Sequence, residues 1–226
     1  MTGRPVIPVT TGKIKLKEQL MPIFFQQQIT PATRLGIWKI EETESFFRDN
    51  VPHHRDVTHP HKRLQHLAGR FLLQFLYPAF PYDLIHLAET RKPYLPSEEY
   101  HFSISHCGDY AAAIVSRETR AGIDVEIPVE KVAKIRHKFL SDTEIGLFGV
   151  GEEQPEDLHL LTILWSAKEA VYKWYGNGKV DFSEQIRLLS INREQHSIDC
   201  HFTKTGTDLQ IRYGTFDNLV LAWVTG

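Results

Sequence analysis

The chain has 226 residues, 42% hydrophobic and 24% charged, an ordinary globular balance long enough for one large core or two fused halves. A formal net charge of −2 gives no general attraction for nucleic acid, no apolar run reaches the length of a membrane span, and no signal peptide is visible. Two cysteines, Cys107 and Cys200, without a CxxC spacing favour neither a disulfide framework nor a cysteine zinc site and fit a reducing, cytoplasmic setting.

Residues 1–20 read as an N-terminal extension, in which KIKLK sets Lys13, Lys15 and Lys17 at alternate, solvated positions; the folded domain is expected to begin at Met21. Strand patterns follow in IFFQQQI (23–29) and TRLGIWKI (33–40), and helical patterns in EETESFFRDN (41–50) and KRLQHLAGRFLLQFLYPAF (62–80). His53, His54, His59, His61 and His66 crowd the start of that second helix without a clean ligand spacing, Pro60 interrupts them, and most read as solvated. Three short strands are expected in YHFSISH (100–106), YAAAIVSR (110–117) and AGIDVEIP (121–128), with CGDY and RETRA as the turns between them. The second half repeats the order. VEKVAKIRHKFL (129–140) and LHLLTILWSAKEAVYKWYG (158–176) are helical, GVGEEQPED between them is a polar loop, and EQIRLLSIN, IDCHFTKTG, TDLQIRYGT and LVLAWVTG are strand-like. Helices followed by a small meander, twice, predict an α+β protein of two similar halves, each with helices packed on a small antiparallel sheet, divided as 21–120 and 121–226.

Three stretches carry chemistry. In AGIDVEIP, side chains alternate, so Ile123, Val125 and Ile127 face one way and Asp124 and Glu126 the other. Two carboxylates roughly 6.5–7 Å apart on one strand face need solvent or a cation; a half-exposed strand and half of a metal site both satisfy that. On LLTILWSAKEAVYKWYG, Leu160, Ile163, Ala167, Ala170, Val171 and Trp174 form a broad apolar face, while Thr162, Ser166, Glu169 and Lys173 form a narrow polar stripe flanked by Leu161, Trp165 and Tyr172. Such a stripe suits a cleft, although an exposed Glu169–Lys173 pair at i,i+4, worth roughly 0.3–0.5 kcal/mol, has the same spacing. In FSISH, Ser103 and Ser105 share one face and His106 ends the strand.

Taken together, GIDVE (122–126), WSAKEAVYK (165–173), FSISH (102–106), KPYLP (92–96) and FLSDTEI (139–145) resemble the ordered motifs of the 4′-phosphopantetheinyl transferases, in the larger monomeric type that activates carrier domains of peptide and polyketide synthases. Arg91 stands where that family has glycine, and Cys107 where serine is commoner. The resemblance implies Mg2+-dependent transfer of 4′-phosphopantetheine from coenzyme A to a serine of an apo acyl or peptidyl carrier protein, with release of adenosine 3′,5′-bisphosphate. It implies a fold of two α+β halves in one monomer with the site between them. It carries Asp124, Glu126 and Glu169 over as metal ligands, with Glu169 also as general base and Lys173 as the residue that steadies the leaving phosphate. Ser105 and His106 are implied at a coenzyme A phosphate, and Arg91, Lys92 and Pro93 beside the adenosine. Arg63 or Arg70 is the candidate for the 3′-phosphate, Trp165 is expected to pack behind the site without a chemical role, and Glu144 fits either the site edge or an ordinary helix start. A different Mg2+-dependent phosphate or nucleotide hydrolase would use the same carboxylates and lysine, but no phosphate-cradling glycine loop is present; an inactive carrier-binding module would not need them.

Overall fold

A computed structural model describes residues 23–51, 57–151 and 157–226. The expected extension at 1–20, its boundary at Met21, and His53 and His54 lie outside the described residues. In chain order the elements are β1 (Ile23–Thr30), β2 (Thr33–Lys39), α1 (Glu44–Asn50), α2 (Pro60–Leu76), β3 (His86–Leu87), β4 (Pro93–Tyr94), β5 (His101–Cys107), β6 (Tyr110–Ser116), β7 (Ala121–Glu126), α3 (Glu130–Lys134), α4 (Asp142–Phe148), α5 (Leu158–Tyr175), α6 (Phe182–Gln185), β8 (Ile186–Asn192), β9 (Ser197–Phe202), β10 (Thr207–Phe216) and β11 (Leu219–Thr225).

Two larger antiparallel sheets organise these elements, one in the order β1-β2-β6-β5 and the other β7-β11-β10-β9-β8, while β3 and β4 pair as a separate two-stranded ribbon. The alternation of each strand decides what it covers. Ala111, Ala113 and Val115 of β6 meet Leu67, Leu72 and Leu73 of α2, whereas Ala112 and Ile114 of the same strand meet Ile123 and Val125 across the gap between the sheets. On the second sheet Leu221 and Trp223 turn to that gap, and Val220, Ala222 and Val224 turn to α5. The layers are therefore helix, sheet, sheet, helix, and the fold is a mixed α+β one built on small antiparallel sheets. No described helix is long and apolar enough to cross a membrane.

AGIDVEIP follows two strands of the first sheet but leaves it. β7 pairs with β11, with Asp124 opposite Ala222, so the chain changes sheets between Ser116 and Ala121. α2 stops at Leu76, short of the expected Phe80, because Pro78 has no N–H to continue the ladder. The helical pattern at 129–140 splits into α3 and a short 3-10 turn, and the first residues of EQIRLLSIN belong to α6. α5 keeps its full length: Asp157 accepts from the Leu160 N–H at its start, and Gly176, at φ 77°, ends it in the left-handed conformation.

Candidate active site

The site is set by one glycine. A Cβ on Gly122 would lie 2.0 Å from the Ala170 carbonyl oxygen and 2.6 Å from the Trp174 nitrogen, so β7 and α5 touch backbone to backbone. Only glycine allows that approach. The next side chains on the same face of β7, Asp124 and Glu126, are thereby pressed against the polar stripe of α5.

Asp124 is 2% exposed. Its Oδ1 accepts from the Lys173 ammonium at 2.6 Å and from the Ser105 hydroxyl at 2.8 Å, and Lys173 also donates to Ser105 Oγ at 2.8 Å. Ser103, two residues back on β5, accepts from the Ile123 N–H at 3.3 Å, so the serines of β5 stitch the edge of one sheet to the edge of the other. The second oxygen of Asp124, Oδ2, is buried and has no hydrogen-bond partner among the described residues. A buried carboxylate oxygen left unpaired costs free energy that neither the sheet nor α5 relieves.

The neighbouring acids record the crowding. Burial and the charge of Asp124 raise the Glu126 pKa, and Trp165 Nε1 donates to Glu126 Oε1 at 3.4 Å. Glu169 is pushed up to about 7 by burial first and Asp124 next, against the opposing pull of Lys173. Burial also pushes the Cys107 thiol up to about 11, with Glu126 adding to it. His106 is exposed at the end of β5; partial desolvation by the site behind it lowers its pKa from the ordinary histidine value, and the Lys173 charge acts in the same direction.

These features fit a hard divalent cation: an orphaned carboxylate oxygen and two further acids whose ionisation is suppressed by burial and by the neighbouring charge of Asp124. Among the described residues, however, no three His, Cys, Asp or Glu side chains lie close enough to hold a metal between them. The expected trio of Asp124, Glu126 and Glu169 is thus not gathered on one point. Asp124 and Glu126 fit the magnesium pattern, in which the protein supplies only one or two carboxylates.

On the other side of Lys173 a cavity of about 200 Å³ is lined by Arg91, Lys92, Pro93, Ser103, Tyr172 and Lys173 itself, which brings the KP pair to the site. Lys92 is committed elsewhere, however. Its ammonium crosses Gly176 and donates to the carbonyls of Lys173 and Trp174, capping α5. Burial, with Arg120 nearby, lowers its pKa to about 8. A larger cavity of about 300 Å³ lies beyond Lys92 and Pro93 and is lined by none of the three acids. Glu169 instead lines an open cleft of about 590 Å³ with Trp165, Tyr172, Phe182, Lys138 and Lys179.

Two further expectations fall on residues away from that cavity. Arg63 forks onto Glu44 at 2.8 and 2.9 Å and donates to the Val57 carbonyl at 2.7 Å, and Arg70 is 8% exposed; neither lines the cavity that Lys92 and Lys173 share. Glu44 is held down to about 2, by Arg63 first and then Arg48. Glu144 is a structural residue: it closes a capping box with Ser141, accepts from the Leu188 N–H at 2.9 Å and pairs with Lys168 at 2.7 Å. Lys168 was not singled out in the sequence. The signal was present, since Lys168 falls outside the polar stripe of α5 and its neighbours one turn away, Leu164, Trp165, Val171 and Tyr172, carry no charge.

Residues 120–224 match the family model described as the 4′-phosphopantetheinyl transferase superfamily. The chain is similar to enterobactin synthase component D of Escherichia coli K12, 32% identical over 133 residues, covering 54% of this chain and 60% of that protein. It is 28% identical to enterobactin synthase component D of Salmonella austin over 56% of this chain and 54% of the relative. It is 25% identical to 4′-phosphopantetheinyl transferase AcpT of Escherichia coli K12 over 73% and 76%. The alignment thus spans 60% or less of the enterobactin synthase components.

Proposed function

We propose, from the match of residues 120–224 to the 4′-phosphopantetheinyl transferase superfamily model, that this protein moves 4′-phosphopantetheine from coenzyme A to a serine of an apo carrier protein. The observation that carries the proposal is the Asp124 site, where one carboxylate oxygen is tied to Lys173 and Ser105 and the other is buried and free. In this reading residues 21–120 and 121–226 are two halves related by a pseudo-twofold axis, acting as a monomer in the cytoplasm.

The chain's own groups divide the chemistry. Lys173, held at 2.6 Å from Asp124, presents a fixed ammonium to the phosphate oxygens that gain charge as the leaving group departs. Glu169, with its pKa near 7, is matched to accept the proton of the incoming serine hydroxyl at neutral pH, directly or through water. The serine oxygen–phosphorus bond forms as the pyrophosphate oxygen–phosphorus bond breaks, and adenosine 3′,5′-bisphosphate leaves. Asp124 and Glu126 would hold Mg2+, which when bound neutralises pyrophosphate charge. Ser105 and His106 border the phosphate, and Arg91, Lys92 and Pro93 border the adenosine; Lys92 acts there while it caps α5.

Mass spectrometry of a panel of apo carrier proteins incubated with coenzyme A and Mg2+ tests this. A gain of one phosphopantetheine is expected on at least one carrier. Phosphate release without carrier modification would assign a hydrolase, and carrier binding without either would assign an inactive module.

A further inference from the structure

Trp165 carries no charge and no reacting group, and its sequence context predicts packing alone. The structure gives its indole N–H a target, Glu126 Oε1 at 3.4 Å, at the long end of such contacts. The indole is restrained on two sides. Phe139 meets it edge-on at 5.1 Å and 67°, and Phe182 lies nearly parallel at 5.7 Å and 29°. Phe182 is itself held, because its carbonyl accepts from the Lys168 ammonium at 2.8 Å. Lys168 is fully buried and anchored by Glu144, whose carboxylate also takes the Ser141 N–H and hydroxyl and the Leu188 N–H. A line of contacts therefore runs from a saturated ion pair in the core to one acid of the site. A ring that cannot turn offers its N–H in one direction only.

We infer that Trp165 is a positioning residue for Glu126, and that Lys168 acts on it through Phe182. The inference rests on the reading of Glu126 as a site carboxylate. It predicts that the indole nitrogen, rather than the ring's bulk, sets how well the site takes a divalent cation.

The test is calorimetric titration of Mn2+ into the full chain saturated with coenzyme A, beside titration of coenzyme A without metal. Trp165→Phe keeps a stacked ring and removes the N–H. Its Mn2+ affinity is expected to fall about tenfold, the lower range for groups that orient a metal ligand, with metal-free coenzyme A affinity unchanged. Lys168→Met is expected to lose affinity in the same direction by a smaller factor, and the double variant to be no weaker than Trp165→Phe alone, because both act along one route. Should Lys168→Met fail to fold, Phe182→Leu removes the stacking partner and reads the same route. Wild-type Mn2+ affinity in Trp165→Phe would overturn the inference, as would an equal loss of metal-free coenzyme A affinity. Additive losses in the double variant would overturn the part assigned to Lys168. A wild-type protein that takes up neither coenzyme A nor Mn2+ would overturn the reading of the site itself and the inference with it.

Discussion

α5 holds two lysine–carboxylate pairs, and they differ in one respect that decides what each does. Lys168 and Glu144 are almost wholly out of solvent, and every oxygen of the carboxylate is engaged by the ammonium, by backbone N–H groups or by Ser141. Lys173 and Asp124 are as close, at 2.6 Å, but the lysine is 25% exposed and one aspartate oxygen has no partner. A saturated pair has nothing left to bind. An unsaturated one has already been desolvated by the fold, and a ligand recovers the interaction that is missing. The first pair fixes α4, β8 and α6 to α5; the second waits at the junction of the sheets.

The contrast can be broken by removing each acid in turn. Asp124→Ala is expected to lower kcat/KM for carrier modification by more than about 10³-fold while the melting temperature stays near wild type, since Lys173 can turn to water and the repulsion on Glu126 and Glu169 is relieved. More than a tenth of wild-type turnover would break the assignment. Glu144→Ala should behave oppositely. It strands a buried ammonium, a change worth about 3–5 kcal/mol, and is expected to lower the melting temperature by about 10 °C, with the rate per folded molecule kept within about tenfold. Gly122→Ala joins the two properties: a Cβ in the Ala170 carbonyl forces β7 off α5, and stability is expected to fall by about 3 kcal/mol together with turnover, read by denaturant titration and by the carrier assay.

Glu169 sharpens the contrast through pH. Between its ordinary 4.5 and about 7 the folded protein keeps a proton that the unfolded chain has released. The folded state therefore binds more protons in that window, and stability falls as pH rises through it, by at most about 3 kcal/mol. Glu169→Gln should flatten this slope in the metal-free protein and raise its stability at pH 8. The same substitution should slow transfer by about 10²-fold, the scale of losing a positioned base. Melting curves at pH 5 and pH 8 check the first expectation, and single-turnover carrier modification checks the second.

Much of this was legible in the sequence, and what was legible was local. The alternation in GIDVE placed Asp124 and Glu126 on one face, and the stripe of α5 placed Glu169 and Lys173 on another. Gly122 inside a strand was the written sign that the two faces meet. The rest depended on partners far along the chain. The Ser105 hydroxyl on Asp124 and the Lys173 ammonium on both join residues 19 to 68 positions apart. That Arg63 meets Glu44, 19 residues away, could not be read from spacing. Glu144 could not be divided between site and scaffold until Lys168, 24 residues on, was seen to reach it. Periodicity says which way a side chain points; only the packed fold says what stands there.

The most direct test compares one residue type on one helix. Lys173→Met and Lys168→Met are made in the full chain, and each is scored for carrier modification by intact mass and for thermal unfolding. Lys173→Met, which leaves the buried Asp124 without its ammonium, is predicted to slow modification per folded molecule by at least about 10²-fold at whatever melting temperature it keeps, and Lys168→Met to lower the melting temperature while the rate per folded molecule stays within about tenfold. Equal losses of rate in the two variants, or a Lys173→Met protein that modifies its carrier at the wild-type rate, would contradict the assignment of the Asp124 site as the working one.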